Sequence, residues 1–228
     1  MKPRTRLAKA TTPDGLVLSL FEHDGDFSMS LSGQELMHSK ASASETLLGT
    51  LGVERVLRKP GGGEPFRILV GGLGLGFTLR SVLEACDEHG TVDVAELIPE
   101  VIDWNRVHLK ELNGFLLDDS RVEIRLADVA SVIRNAANCA YDAILMDVDN
   151  GPVAMVKKTN KSLYSMSGIR SIRSALKPGG RAVLWSAGPD KAFAERLQEA
   201  GFKVAAVPAK VHERAKRAAY ILYVADLD

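Results

Sequence analysis

From about Phe66 onward, short apolar runs alternate with stretches whose apolar positions recur at helical spacing. The runs predict strands over 66–70 (FRILV), 92–97 (VDVAEL), 121–126 (RVEIRL), 141–147 (YDAILMD) and 181–187 (RAVLWSA). The stretches between them predict helices near 77–88, 99–113, 129–137 and 163–176, the last closed by the helix-stop signal LKPGG. A further helix near 189–200 leads into strands over 202–209 and 218–226. Strand–helix alternation dictates a mostly parallel sheet covered by helices on both faces. Only KVHERAKR, 210–217, separates the last two strands, so they are expected to close the sheet as an antiparallel hairpin. The fold class is therefore α/β, Rossmann-like, with seven strands.

The first sixty residues follow another rhythm. Short alternating runs surround HDGD at 23–26, a hairpin signal, and SASETLLGTLGVERVL at 42–57 reads as a helix with Ser42 or Ser44 near its N-cap. The glycine-rich KPGGGEP, 59–65, reads as a joint. The expected organisation is an N-terminal β-hairpin region with its helix, 1–58, followed by a nucleoside-binding domain, 59–228. Seven strands ending in a hairpin resemble the plan of the class I methyltransferase-like fold rather than the dinucleotide-binding one. In such sheets ligands sit at the carboxyl ends of the strands, near the switch in strand order.

Composition narrows the classes. The 228 residues are 46% apolar, enough for a full core, and Lys plus Arg equals Asp plus Glu, which argues against a dedicated nucleic-acid binder. Neither the five histidines nor Cys86 and Cys139 show metal-ligand spacing, so no metal is expected. Both thiols read as buried and reduced, which suits the cytoplasm. No run approaches membrane-spanning length, and MKPRTRLAKATTPDG lacks the apolar stretch of a signal peptide.

Candidate chemistry gathers at strand ends. Gly71, Gly72, Gly74 and Gly76 follow the first strand of the alternating region directly. Glycines there allow a sharp turn and a close backbone approach to a ligand. Their G-x-G-x-G spacing departs from the dinucleotide fingerprint and suits a ligand without a pyrophosphate. Glu96 ends the next strand, where a carboxylate can hold ribose hydroxyls. Asp128 follows the third, where one can accept from an adenine amino group. Singly, Glu96 reads as a solvated strand end and Asp128 as a helix N-cap. Together with the glycine loop they predict an adenosine site at Gly72, Gly74, Gly76, Glu96 and Asp128. The fourth strand ends in a cluster of carboxylates and turn residues, Asp147, Asp149, Asn150, Gly151 and Pro152.

Five blocks in order, ILVGGLGLGFTLRSVLEA, VDVAELIPEVIDWNR, LDDSRVEIRLADVASVI, YDAILMDVDNGP and SLYSMSGIRSIRSALKPGG, resemble those of the spermidine synthase family. These aminopropyltransferases have a methyltransferase-like fold, and the likeness runs over roughly 65–187. It implies a glycine loop beneath the amino-acid-derived tail of the nucleoside, Glu96 on the ribose, Asp128 on the adenine, Asp147 facing the reacting centre and Tyr164 near the substrate pocket. It also implies decarboxylated S-adenosylmethionine as donor, an amine as acceptor, and dimerisation through the N-terminal region.

The chain departs from that family at three places. Leu75 stands where the family loop GGGDGG carries its aspartate, and Asn150 where D-x-x-D-P carries the aspartate that deprotonates the amine. The family's Tyr-His-Glu tract is reduced to Ala43, Ser44 and Glu45. Asparagine takes no proton, so Asp149 or Asp147 is expected as base, with Glu45, Asn150 and Tyr164 about the substrate. The alternatives are a methyltransferase using S-adenosylmethionine, which depends mainly on in-line positioning, and a non-catalytic nucleoside-binding member.

Overall fold

The computed structural model describes residues 3–57, 64–148 and 160–228, the side chains of 160 and 161 excepted. Asp149, Asn150, Gly151, Pro152 and most of the expected joint at 59–65 lie outside the described residues. The N-terminal region is a four-stranded antiparallel sheet, β1 (Thr5–Thr11), β2 (Val17–His23), β3 (Asp26–Leu31) and β4 (Gln34–His38), in that order. The expected hairpin is its β2–β3 pair, turning at Asp24 and Gly25 with φ of 52° and 82°. A second such turn at Ser32 and Gly33, φ 48° and 88°, extends the hairpin to β4. Left-handed values at both central positions match the twist of paired strands.

After α1 (Ala43–Leu57) comes a seven-stranded sheet of β5 (Phe66–Gly71), β6 (Gly90–Glu96), β7 (Val122–Leu126), β8 (Tyr141–Met146), β9 (Leu176–Ser186), β10 (Lys203–Ala209) and β11 (Tyr220–Asp226). Its order is β10-β11-β9-β8-β5-β6-β7, with β5 to β9 parallel and both β11–β9 and β10–β11 antiparallel, so the expected hairpin finish is present. The helices are α2 (Phe77–Ala85), α3 (Pro99–Val107), α4 (Lys110–Asn113), α5 (Val129–Asn135), α6 (Asn160–Leu163), α7 (Met166–Ala175) and α8 (Lys191–Glu199). The helices expected over 99–113 and 163–176 are each broken in two. Ser165 restarts the second by accepting from the Gly168 amide at 3.2 Å. LKPGG does end α7, but β9 begins at Leu176 and bulges before Arg181 pairs with Ala143. Gly179, at φ 74°, lies in that bulge.

Alternation along the central strands divides the core. Ile68, Val70, Ala143 and Leu145 face α1, α2 and α3, whereas Leu69, Ile144 and Met146 face α5, α7 and α8. Helix α1 carries the N-terminal region onto the large sheet. A Cβ on Gly49 would lie 2.6 Å from Ser81 Cβ and 2.9 Å from the Thr78 carbonyl, and one on Gly52 would meet Leu145. Glycine at both places lets α1 seat closely on α2 and β8. Arg181 pairs with Asp226 at 2.6 and 3.0 Å and donates to the Leu51 carbonyl, while Arg55 reaches Asp226 at 3.0 Å. Burial opposes charge on Asp226, but these arginines outweigh it and hold its carboxyl below the ordinary value. Cys86 is buried, which pushes its thiol up to about 11. Cys139 is exposed, against expectation, because it occupies a left-handed turn (φ 58°) before β8.

Candidate active site

Strand order reverses at β5, whose neighbours are β8 and β6. Chains leaving the carboxyl ends of β5 and β8 diverge there and leave a crevice. The crevice is a cleft of about 130 Å³ that opens to solvent. Its floor is made by Gly72, Gly74, Glu96, Asp128 and Asp147, from the ends of four successive parallel strands. Its far wall comes from the N-terminal sheet, through Leu18, Met29, Leu36 and Met37. Glu96, Asp128 and Asp147 are the charged residues lining it among the described residues.

The glycine loop is shaped by backbone crowding. Gly72 has φ 90°, and a Cβ there would lie 2.6 Å from the Asp147 carbonyl oxygen. The Gly72 amide donates to the Ala95 carbonyl and the Asp147 amide to the Gly71 carbonyl, both at 2.9 Å, which stitches the three strand ends together. A Cβ on Gly74 would meet Met37 at 3.1 Å, so the N-terminal sheet closes directly over the loop. Gly76, at φ 88°, lies instead at the start of α2 against Asn105 and Asn113 and does not line the cleft. Those two asparagines brace the loop from behind: Asn105 donates to the Gly74 carbonyl at 2.9 Å, and Asn113 to that of Leu75. Leu75 is buried in the core, so the residue replacing the family aspartate faces away from the cleft.

Glu96 is a clasp. Its Oε2 accepts from the Leu73 amide at 3.0 Å, and its Oε1 from Leu97 and Ile98 at 2.7 and 2.9 Å. It therefore ties the glycine loop to the entry of α3, whose N-cap Ile98 offers no side-chain acceptor. Burial raises the Glu96 carboxyl above its ordinary value, and backbone N–H groups of Ile98, Leu73, Leu97 and Gly74 only partly oppose this. A carboxylate has about four lone-pair sites, and backbone already occupies most of them. Asp128 caps α5, accepting from the Ala130 amide at 3.1 Å, while also lining the cleft. The N-cap reading of this residue is thus present, and the same side chain stands at the cleft.

At the other end of the cleft, the Thr78 hydroxyl lies 2.6 Å from Asp147 Oδ2. Behind it stands Glu45, in the first turn of α1, accepting from the Ser44 hydroxyl at 2.6 Å. Burial pushes the Glu45 carboxyl up, against the opposing bond from Ser44. The Ala43 amide donates to the Val211 carbonyl at 3.3 Å, so the turn carrying KVHERAKR packs on this end of α1. Tyr164 is elsewhere: its ring packs edge-on against Phe193 at 5.4 Å, on the α7–α8 face, and it does not line the cleft. Thr78, Asn105, Asn113 and the apolar wall were not legible as site residues. Thr78 reads in sequence as an ordinary helix-start threonine, and the wall residues as hairpin core.

A second hollow, between β7 and α5, is lined by Arg67, Arg125, Tyr141 and several alanines. Its charges are paired, since Arg67 and Arg125 both reach Asp93 and Glu123. Among the described residues no group of three His, Cys, Asp or Glu could hold a metal, and no helix is long and apolar enough to cross a membrane.

No protein-family model matches the chain. In sequence it is 31% identical over 131 residues to polyamine aminopropyltransferase 2 of Hyperthermus butylicus, a match covering 55% of this chain. It spans only 39% of that relative's length. In fold it is similar to spermidine synthase from Thermotoga maritima, with a TM-score of 0.72 and 20% identity, covering 97% of this chain and 72% of the other. A spermidine synthase in complex with the transition state analogue AdoDATO superposes equally well, at 0.72 and 20% identity over 98% of this chain and 72% of that one. The resemblance carried by the five sequence blocks is therefore present in both sequence and fold.

Proposed function

We propose that this chain transfers an aminopropyl group from decarboxylated S-adenosylmethionine to an amine. The observation that carries this reading is the charge of the cleft: every ionisable side chain lining it, among the described residues, is an acid. A sulfonium donor with an ammonium tail and an amine acceptor are both cationic, and both gain from such a field. Intact S-adenosylmethionine carries a carboxylate, which meets no cation there among the described residues. This disfavours the methyl-transfer alternative. The relatives named polyamine aminopropyltransferase and spermidine synthase point the same way.

In this reading residues 1–58 and 59–228 form one site. Asp128 accepts from the adenine amino group, Glu96 shapes the loop beneath the ribose, and Gly72 and Gly74 let the backbone approach the tail. Asp147 faces the sulfonium, with Glu45 and Asn150 bearing on the acceptor, whereas Tyr164, packed on Phe193, takes no part. The amine nitrogen attacks the aminopropyl carbon attached to sulfur. A C–N bond forms, the C–S bond breaks with its electron pair going to sulfur, and neutral methylthioadenosine leaves. The proton lost by nitrogen goes to a carboxylate, which we assign to Asp149. We also place the protein in a reducing cytoplasm, with the open edges of β1 and β4 available for pairing to a second copy.

Single-turnover assays with either donor and a panel of amines test this. Transfer is expected from the decarboxylated donor alone. Asp149→Asn should slow it by about a hundredfold or more while methylthioadenosine affinity stays unchanged. Methyl transfer from the intact donor would replace this reading, and a wild-type rate in Asp149→Asn would move the base elsewhere.

A further inference from the structure

We infer that Thr78 is a positioning residue that sets the orientation and charge state of Asp147. Its hydroxyl has one hydrogen and two acceptors in reach, Asp147 Oδ2 at 2.6 Å and the Glu45 backbone carbonyl at 3.4 Å. The shorter contact is a charge-assisted hydrogen bond and the longer one lies at the limit of bonding, so the hydrogen belongs to Asp147.

Thr78 can hold that carboxylate because it is itself held. It is 2% exposed, in the first turn of α2. Gly49 of α1 packs against its carbonyl, and the adjacent turn is tied to α1 by Ser81 donating to the Thr46 carbonyl at 2.8 Å. Asp147 follows β8 directly, and its amide is fixed on the Gly71 carbonyl. Both ends of the Thr78–Asp147 bond are therefore anchored in rigid elements, and the bond selects one orientation of the side chain. A hydroxyl donor to the charged form of a carboxylate also favours that form. Among the described residues, the other charged groups sharing the cleft are Glu96 and Asp128, with Glu45 behind Thr78. All three are acids, whose charge opposes ionisation of Asp147. Among the described residues Thr78 is thus a polar group that counters them without bringing a positive charge next to a cationic donor.

The inference uses the transfer reading only for its kinetic arm. Two variants test it, Thr78→Val, which keeps the shape and removes the hydroxyl, and Thr78→Ser, which restores the donor. In protein labelled with carboxyl ¹³C-aspartate, Thr78→Val is expected to raise the NMR titration midpoint of Asp147 by about one unit. Thr78→Ser should return it to the wild-type value. Single-turnover transfer from decarboxylated S-adenosylmethionine should fall about tenfold in Thr78→Val, with methylthioadenosine affinity by calorimetry unchanged, and recover in Thr78→Ser. An Asp147 midpoint that is the same in wild type and Thr78→Val overturns the inference, as does a Thr78→Ser variant no better than valine. If the wild type transfers no aminopropyl group to any amine, the transfer reading fails, and the carboxyl titration alone decides the role of Thr78.

Discussion

Strand β6 carries two buried carboxylates, and they belong to opposite kinds of site. Asp93, fully buried, accepts from Arg67 at 3.0 Å, from Arg125 at 2.8 Å and from the Tyr141 hydroxyl at 2.8 Å. Burial opposes its charge, but the bonds from Arg125, Arg67 and Tyr141 outweigh burial and hold the carboxyl below its ordinary value. The same cluster lifts Tyr141 to about 12, through burial first and then the bond to Asp93. Glu96, at the carboxyl end of the strand, has backbone N–H groups and no cation, and burial wins. The sheet is sealed by ion pairs around Asp93 and opens into an acidic cleft at Glu96. The cluster at Asp93 neutralises its charge with arginines, whereas Glu96 is met by backbone N–H groups alone.

The largest expected effect is on the sealed cluster. Asp93→Asn removes the charge that both arginines share, and breaking a buried pair typically costs 3–5 kcal/mol. The guanidinium side chains are 38% and 39% exposed and can rehydrate, which places the loss at the low end. A cost of about 3 kcal/mol corresponds to roughly 6–12 °C in Tm. Calorimetric unfolding checks this, and methylthioadenosine affinity should not change. If affinity falls with stability, the two regions are coupled and the comparison fails.

Asp128 sharpens the other side. Asp128→Ala is expected to weaken methylthioadenosine binding by about 2 kcal/mol through an unpaired donor, and to lower stability by about 1 kcal/mol through the lost cap. Asp128→Ser keeps a cap on Ala130 and should recover the stability while leaving most of the affinity lost. Isothermal calorimetry and thermal unfolding of both variants separate these roles.

The smallest effect is the most diagnostic in its sign. Asp93 has a folded value below the ordinary 3.8, so its stabilisation is present above 3.8 and lost as pH falls through the folded value. The Asp93→Asn penalty should shrink in acid. Glu96 has a folded value above the ordinary 4.5, so its contribution is full below 4.5 and lost as pH rises through the folded value. Glu96→Gln should therefore cost only about 1 kcal/mol, most of it in acid, and the penalty should shrink as pH rises. Denaturant unfolding across pH checks both slopes. Parallel slopes would mean that the two carboxylates do not differ in the way their surroundings dictate.

Much of this arrangement was legible along the chain. The seven strands, their parallel order and the hairpin finish follow from periodicity, because a strand buried on both faces has little freedom in composition. Convergence of Gly72, Gly74, Glu96, Asp128 and Asp147 on one cleft was legible too, since carboxyl ends of parallel strands must share one edge of the sheet. Less was readable where one residue type serves two ends. Gly76 looks like Gly74 in sequence, yet it packs on Asn105 and Asn113. Leu75, expected from the resemblance at the donor end of the loop, turns into the core. Tyr164 was expected near the substrate and packs on Phe193. A loop's spacing does not specify which way each side chain leaves it.

What the sequence by itself determined was the order of elements and therefore the location of the cleft, because period and turn residues act through neighbours along the chain. The second turn at Ser32 and Gly33 is equally local but lay outside the expected hairpin. What only the tertiary structure decided was everything made by segments distant in sequence. It brought Met37 over Gly74, set Thr78 on Asp147 and gathered Arg67 and Arg125 on Asp93. It also decided the charge states, since whether a carboxylate is raised or lowered depends on the partners that reach it in space. Asp93 and Glu96 sit on one strand with one kind of group, and the three-dimensional surroundings alone send them in opposite directions.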